Sequence, residues 1–300
     1  MRRSRQRSRS NRQRQGSAPV SLHKNTPSFS SALEDGLDLN INLGEGFGHY
    51  RMEGESNLLP YVTSANVACG AHAGDPLLME EALTEAHRHG LSIGAHIGYP
   101  DLAGFGRREI HLPAGELRAS ILYQLGALSG LAKAVGIEVT QVRAHGFLYR
   151  QMFHDLRVAT IVTKAIAEFD SWLILIGPAC TTLFSAAERA GLKVAGEAWV
   201  DRIYDANGHL LPHNHTKSKI KSQQDILAQA ESLITNGEVI ASDGSVVKLE
   251  FQTIHLHSSL PNAIATAQAI RAMVPKISRL RSEPFSVGPQ EDRRLAYGAY

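Results

Sequence analysis

Two histidines, His72 and His96, each stand among glycines at the end of a strand-like run, in TSANVACGAHAGDP and IGAHIGYPDLAGFGRR. A third, His145, closes the short apolar run of QVRAHG and is followed by Gly146, and the last such run, FQTIHLHSS, carries His255 and His257. Strand interiors favour β-branched and aromatic residues, so glycine and an imidazole at a strand's end mark backbone drawn close to a ligand. Imidazole can carry protons near neutrality or hold a metal ion through a neutral ring nitrogen. A single histidine of this kind is more often the satisfied partner of a neighbouring carbonyl. Four strand ends sharing the feature point to a site, because random placement also scatters histidines, as it does His87, His89, His111, His154, His209 and His213, which read as surface residues.

A closed parallel barrel brings its strand ends to one face, where residues distant in sequence converge. The order of elements suits one. Leu37, Leu39, Ile41 and Leu43 alternate with Asp38, Asn40 and Asn42, a period of two that predicts a strand with its polar set on one side. Between His72 and His96, Leu77, Leu78, Ala82, Leu83 and Ala86 recur at helical spacing, giving a strand, helix, strand unit. A long amphipathic helix is expected over 114–135, with Leu117, Ile121, Leu125, Leu128 and Leu131 in phase. Helices near 156–169 and 181–190 then alternate with the strands WLILIGPA and KVAGEAWVDR. The polar loop ANGHLLPHNH, at 206–215, is long enough for a lid or a subunit contact. A helix near 223–236, a hairpin-like turn at Ser242, Asp243 and Gly244, the last strand and a helix from about 261 to 273 complete the series. About seven strands in alternation with helices leave few topologies once crossovers are right-handed.

The expected organisation is a single α/β domain over residues 37–274, preceded by a disordered Arg/Ser-rich tail over 1–36 and followed by a mobile tail over 275–300. The apolar fraction of 43% is ordinary for a globular chain. No apolar run approaches the roughly 18 to 20 residues that cross a bilayer, which argues against a membrane protein. Cys69 and Cys180 lie far apart in apolar contexts and read as buried thiols of a reducing compartment, so the cytoplasm is expected. The net charge of +2 conceals an asymmetry: Met1 to Leu33 holds eight bases and no acid, and setting them aside leaves 23 bases against 29 acids. An Arg/Ser-rich, acid-free start also suits a transit peptide to an organelle such as the mitochondrion, while nucleic-acid binding has only a short basic arm in its favour. The glycine-rich GEGFGHY, with Gly44, Gly46 and Gly48, fits neither the phosphate loop nor the dinucleotide fingerprint, so the chain carries no P-loop of its own.

The blocks LNINLGEGFG, LLPYVTSANVACGAHAGDP, IGAHIGYPDLAGFGRR, RAHGFLY, VDRIY and IHLH together resemble the LamB/YcsF family, now named as the A component of 5-oxoprolinase, collinearly from about Asp38 to Met273. The resemblance implies a seven-stranded β/α barrel of the glycoside hydrolase and deacetylase type. It also implies an enzyme completed by partner subunits B and C, which opens the lactam of 5-oxoproline to L-glutamate with hydrolysis of ATP. The ATP would be bound through the complex.

Opening a lactam needs an activated water, a stabilised oxyanion and a proton for the leaving nitrogen. Under that reading Glu45 and Asp75, acids beside glycines, are candidates for general base or acid, and His72, His96 and His145 for proton carriers. His72 and His96 are also candidates to hold a divalent metal. Asp75 precedes Pro76 and equally suits the cap of a helix. Asn40, Asn42, His96, Arg107, Arg143 and His257 are candidates for binding substrate, with Arg107 and Arg108 suited to a carboxylate or phosphate. The chain departs from the family's DLNCDLGE at Asn42, from KPHGALY at Arg143 and Ala144, and from VHGD at Ser258 and Ser259. An amide cannot serve as a base near neutrality, and arginine does not give up its proton. Two alternatives therefore stand beside the active enzyme: a catalytically impaired paralogue that binds and regulates, and a metal-dependent carbohydrate deacetylase-like hydrolase, the latter by analogy of fold.

Overall fold

The computed structural model describes residues 36–178, 182–212 and 215–274. The two tails, Cys180 and His213 therefore lie outside the described residues, apart from Gly36 at the edge of the first tail. Seven strands close a barrel in the order β1 (Asp38–Leu43), β2 (Ser64–Ala68), β3 (Ser92–Ile97), β4 (Val139–Ala144), β5 (Ile174–Pro178), β6 (Lys193–Trp199) and β9 (Thr253–His255), the last pairing back to β1. Every pairing in the barrel is parallel. The intervening β7 (Glu238–Ile240) and β8 (Val246–Lys248) form a separate antiparallel hairpin around the turn at Ser242, Asp243 and Gly244.

The alternation in β1 sorts its residues as expected. Leu39, Ile41 and Leu43 join the apolar core that lies between the barrel and its helices, whereas Asp38 and Asn40 bond to side chains of β2, β6 and β9 across the barrel interior. Asp38 accepts from Thr63, Ser64 and Thr253, and Asn40 meets Asn66, His255 and Glu197, so most of the polar groups that fill this end of the barrel are paired, while Asn66 Oδ1, Gln141 Nε2 and His255 Nε2 are buried without a partner among the described residues. Buried polar groups cost least when paired.

Helices α1 (Pro76–Arg88), α2 (Ala114–Val135), α4 (Leu156–Phe169), α5 (Thr182–Arg189), α6 (Gln223–Asn236) and α7 (Ala263–Met273) cover the outside. Leu117, Ile121, Leu125 and Leu128 of α2 are fully buried, as their spacing predicts, and Gly136 ends that helix in the left-handed conformation. A short helix, α3 (Gly146–His154), follows β4 where the sequence reading places no element. Gly146, at φ +54°, turns the chain out of β4 and directly into that helix. The last strand is also shorter than its sequence suggests, so His257 lies beyond it. The loop after β6 folds back on itself through bridges between Arg202 and Lys219 and between Tyr204 and Leu210.

Candidate active site

Each of the first four strands delivers one side chain to a common point at the carboxyl-end face. Glu45 follows β1 by two residues, His72 follows β2 by four, His96 belongs to β3, and His145 comes directly after β4. All four are buried, and their ligand atoms lie within 4.8 Å of one another. Oε1 of Glu45 is 3.4 Å from Nε2 of His72, 3.3 Å from Nε2 of His96 and 3.1 Å from Nδ1 of His145. The rings of His72 and His145 stack at 3.8 Å, and His96 meets both edge-on.

The glycines are what let these rings approach. Gly106 holds φ +61°, and a β-carbon there would come within 2.7 Å of His72 Cβ and 3.0 Å of His145 Cδ2. One at Gly98 would come within 2.6 Å of His72 Nδ1. Real β-carbons do not approach neighbours so closely, so only glycine leaves room for the imidazoles.

Hydrogen bonds to the main chain decide where the protons sit. Nδ1 of His96 lies 3.1 Å from the carbonyl of Arg143, and Nε2 of His145 lies 2.8 Å from that of Phe105. A carbonyl only accepts, so both rings donate there and, when neutral, turn a lone pair inward. Those inward atoms, His96 Nε2 and His145 Nδ1, are 3.0 Å apart. Among the described residues, Oε1 of Glu45 and both ring nitrogens of His72 have no hydrogen-bond partner. Burial pushes His72 down to about 4, helped by the neighbouring His145, and His96 down to about 3, so both rings are neutral at pH 7. Three lone pairs meeting in a buried space call for a cation between them. Metal bonds of roughly 2.0 to 2.2 Å in a tetrahedron set donor atoms about 3.3 to 3.6 Å apart, close to the 3.1 to 3.4 Å spacings around Glu45. The Glu45, His72, His96 and His145 group therefore could hold a metal ion.

A second network adjoins the first. Glu197 of β6 receives Arg143 in a forked, buried pair, with Nε at 2.7 Å and Nη2 at 2.9 Å, and also accepts from Tyr149 at 2.7 Å. Arg143 lies over the rings of Tyr149 and Trp199 and donates from Nη1 to Asn42, 3.3 Å away. Asn42 in turn donates to Oε2 of Glu45 at 3.4 Å.

The residues singled out from sequence thus divide. Glu45, His72, His96 and His145 form one group, and Asn40, Asn42 and Arg143 stand beside it. Asp75 does not join them. Its carboxylate caps α1 through the amides of Leu77 and Leu78, each at 3.0 Å, and also takes Gly48 N–H. Arg108 is occupied by Asp101, whereas Arg107 is exposed over Phe105, and its charge is felt at both His72 and His257. Nδ1 of His257 accepts the main-chain N–H of Ser259 at 3.2 Å and lies 2.6 Å from its hydroxyl, and burial holds the ring below its ordinary pKa against the opposing charge of Asp201. Glu197, Tyr149 and Trp199 were missed. An acid amid the small and apolar residues of KVAGEAW was the available signal for Glu197.

Residues 37–286 match a family described as the LamB/YcsF family. The chain is 43% identical over 235 residues to the 5-oxoprolinase A component of Methylococcus capsulatus, covering 78% of this chain and 90% of that one. It is 40% identical to the same-named protein of Acinetobacter baumannii over 249 residues, covering 83% and 98%. Among solved structures, a lactam utilization protein from Thermus thermophilus matches with a TM-score of 0.75 and 38% identity, covering 79% of this chain and 95% of that one.

Proposed function

The chain belongs to the LamB/YcsF family, and from that premise we propose that it is the hydrolytic A-type subunit of a 5-oxoprolinase, opening the lactam of 5-oxoproline to L-glutamate with hydrolysis of ATP. The observation that carries this reading is the meeting of Glu45, His72, His96 and His145 at the carboxyl-end face of the barrel, in a chain about 40% identical to proteins named for that activity. That face is where parallel barrels keep their chemistry.

In this reading Arg107 draws the anionic substrate to the opening, and Arg143 offers N–H groups to its carboxylate. Glu45 takes a proton from the attacking water as the new C–O bond forms. Glu45 returns that proton to the ring nitrogen as the C–N bond breaks, leaving the free amine of glutamate. A divalent metal, held by Glu45, His72, His96 and His145, would supply Lewis acidity and lower the pKa of water. ATP belongs to B- and C-like partner subunits or to a surface shared with them, since no P-loop occurs in this sequence. No helix among the described residues is long and apolar enough to cross a membrane, and we assign the protein to the cytoplasm.

The test is glutamate production from 5-oxoproline and ATP by the purified chain mixed with B- and C-like subunits. The reading expects turnover that stops when either ATP or this chain is omitted. Turnover that is the same without the chain would overturn it. Binding to the partners with no turnover would transfer the role to a regulatory paralogue.

A further inference from the structure

Nothing in the hydrolytic reading gives Glu197 a task, yet it is a heavily engaged acid inside the barrel. Its carboxylate is 1% exposed and receives Arg143 twice, Tyr149 at 2.7 Å and Asn40 at 3.2 Å. A forked grip on Nε and Nη2 fixes the plane of a guanidinium, and the rings of Tyr149 and Trp199, 5.0 and 5.2 Å from its central carbon, restrict it further. The third engaged nitrogen, Nη1, reaches Oδ1 of Asn42. An amide has one accepting end and one donating end. With Oδ1 committed to Arg143, Nδ2 of Asn42 faces Oε2 of Glu45, and Oε1 is left to the three imidazoles.

This order depends on both unusual residues. Lysine at 143 offers three donors from a single nitrogen and no planar fork, so it cannot grip Glu197 through two parallel bonds while fixing Asn42 from a separate nitrogen. Aspartate at 42 would set a second carboxylate against Oε2 of Glu45. We propose that Glu197 is a positioning residue for Glu45, acting through Arg143 and Asn42, and that Asn42 and Arg143 work as one matched unit. The inference rests on the reading of Glu45 as the working carboxylate of the site.

The experiment uses full-length protein with 15N-labelled histidine and follows the ring nitrogens of His72, His96 and His145 by NMR, a readout that needs no turnover. Glu197→Gln, in a protein whose remaining amide spectrum is that of the wild type, is expected to move those ring signals, and Glu197→Asp to move them less. Asn42→Asp and Arg143→Lys are each expected to shift them, with the double variant departing from the sum of the two. Where lactam turnover is measurable, Glu197→Gln is expected to lower kcat by about 10²-fold, the scale of an ångström's misplacement, with a smaller change in KM. If Glu197→Gln does not fold, Tyr149→Phe removes one donor from Glu197 and is read in the same way. Ring signals unmoved in the folded variant, or shifts of Asn42→Asp and Arg143→Lys that simply add, would overturn the proposal. A chain that hydrolyses no lactam still yields this result.

Discussion

Nδ1 of His145 faces Nε2 of His96 across 3.0 Å, while the other nitrogen of each ring gives its proton to a main-chain carbonyl. When both rings are neutral, two lone pairs therefore point at each other beside the carboxylate of Glu45. Nitrogen-rich sites of this kind suit zinc, cobalt and nickel, whereas magnesium and calcium prefer all-oxygen shells. Zinc is expected to bind at one ion per chain in a calorimetric titration. Glu45→Gln and His145→Ala are each expected to weaken it by at least about 10- to 100-fold. Equal affinity in the wild type and both variants would place the metal elsewhere.

Acid should destabilise the metal-free protein earlier than its carboxylates alone would. His72 and His96, pushed down to about 4 and about 3, stay neutral in the fold while the unfolded chain takes up protons near pH 6.5. The unfolded state then binds more protons, so stability from this source is complete above about pH 6.5 and is lost as pH falls toward 4 and 3. Glu55 works the other way. Burial, with the charge of Glu45, raises it to about 8, so its contribution declines between about pH 4.5 and 8. His255 and His257 are also held down by burial, and Asp38 and Asp201 are also raised by it, so four imidazoles stand against three carboxyls below pH 6.5, and thermal midpoints measured without metal should fall from there to pH 4.5. A midpoint that holds level or rises over that interval would contradict this assignment.

Gly106→Ala combines a left-handed backbone with a direct clash against His72 and His145. The expected loss is about 2 kcal/mol or more, together with weaker zinc binding. Gly48→Ala, at φ +57° with no atom of the described residues within 4 Å, should cost only about 1 to 2 kcal/mol of backbone strain and leave zinc binding unchanged. Denaturant melts of the two variants decide between crowding and strain.

Asp75→Ala removes the cap of α1. A loss of about 1 kcal/mol in stability is expected, with lactam turnover per folded molecule close to that of the wild type. Abolished turnover at full stability would return Asp75 to the chemistry.

Much of this site could be read from the chain because its signals are local. A histidine between glycines reports a crowded strand end, and Asp38, Asn40 and Asn42 show their common side by a period of two. The pairing of Arg143 with Glu197 spans 54 residues and two strands, and no local pattern records which inward-facing charge meets which. The sequence leaves Asp75 open for a related reason. An acid between glycine and proline is equally suited to catalysis and to capping, and only the distances to Leu77 and Leu78 separate the two. Helix α3 was hidden because FLYRQMFH has apolar residues enough for either a strand or a helix, and Gly146 makes the turn that selects the helix.

Glu45 joins both networks, since Oε1 faces the imidazoles and Oε2 faces Asn42. The most direct measurement is therefore the rate of glutamate formation from 5-oxoproline and ATP, with partner subunits present, by wild type and by Glu45→Gln of matched thermal midpoint. The account predicts a fall of about 10²- to 10⁴-fold, the range for a lost acid or base. A Glu45→Gln protein that turns over at the wild-type rate would contradict it.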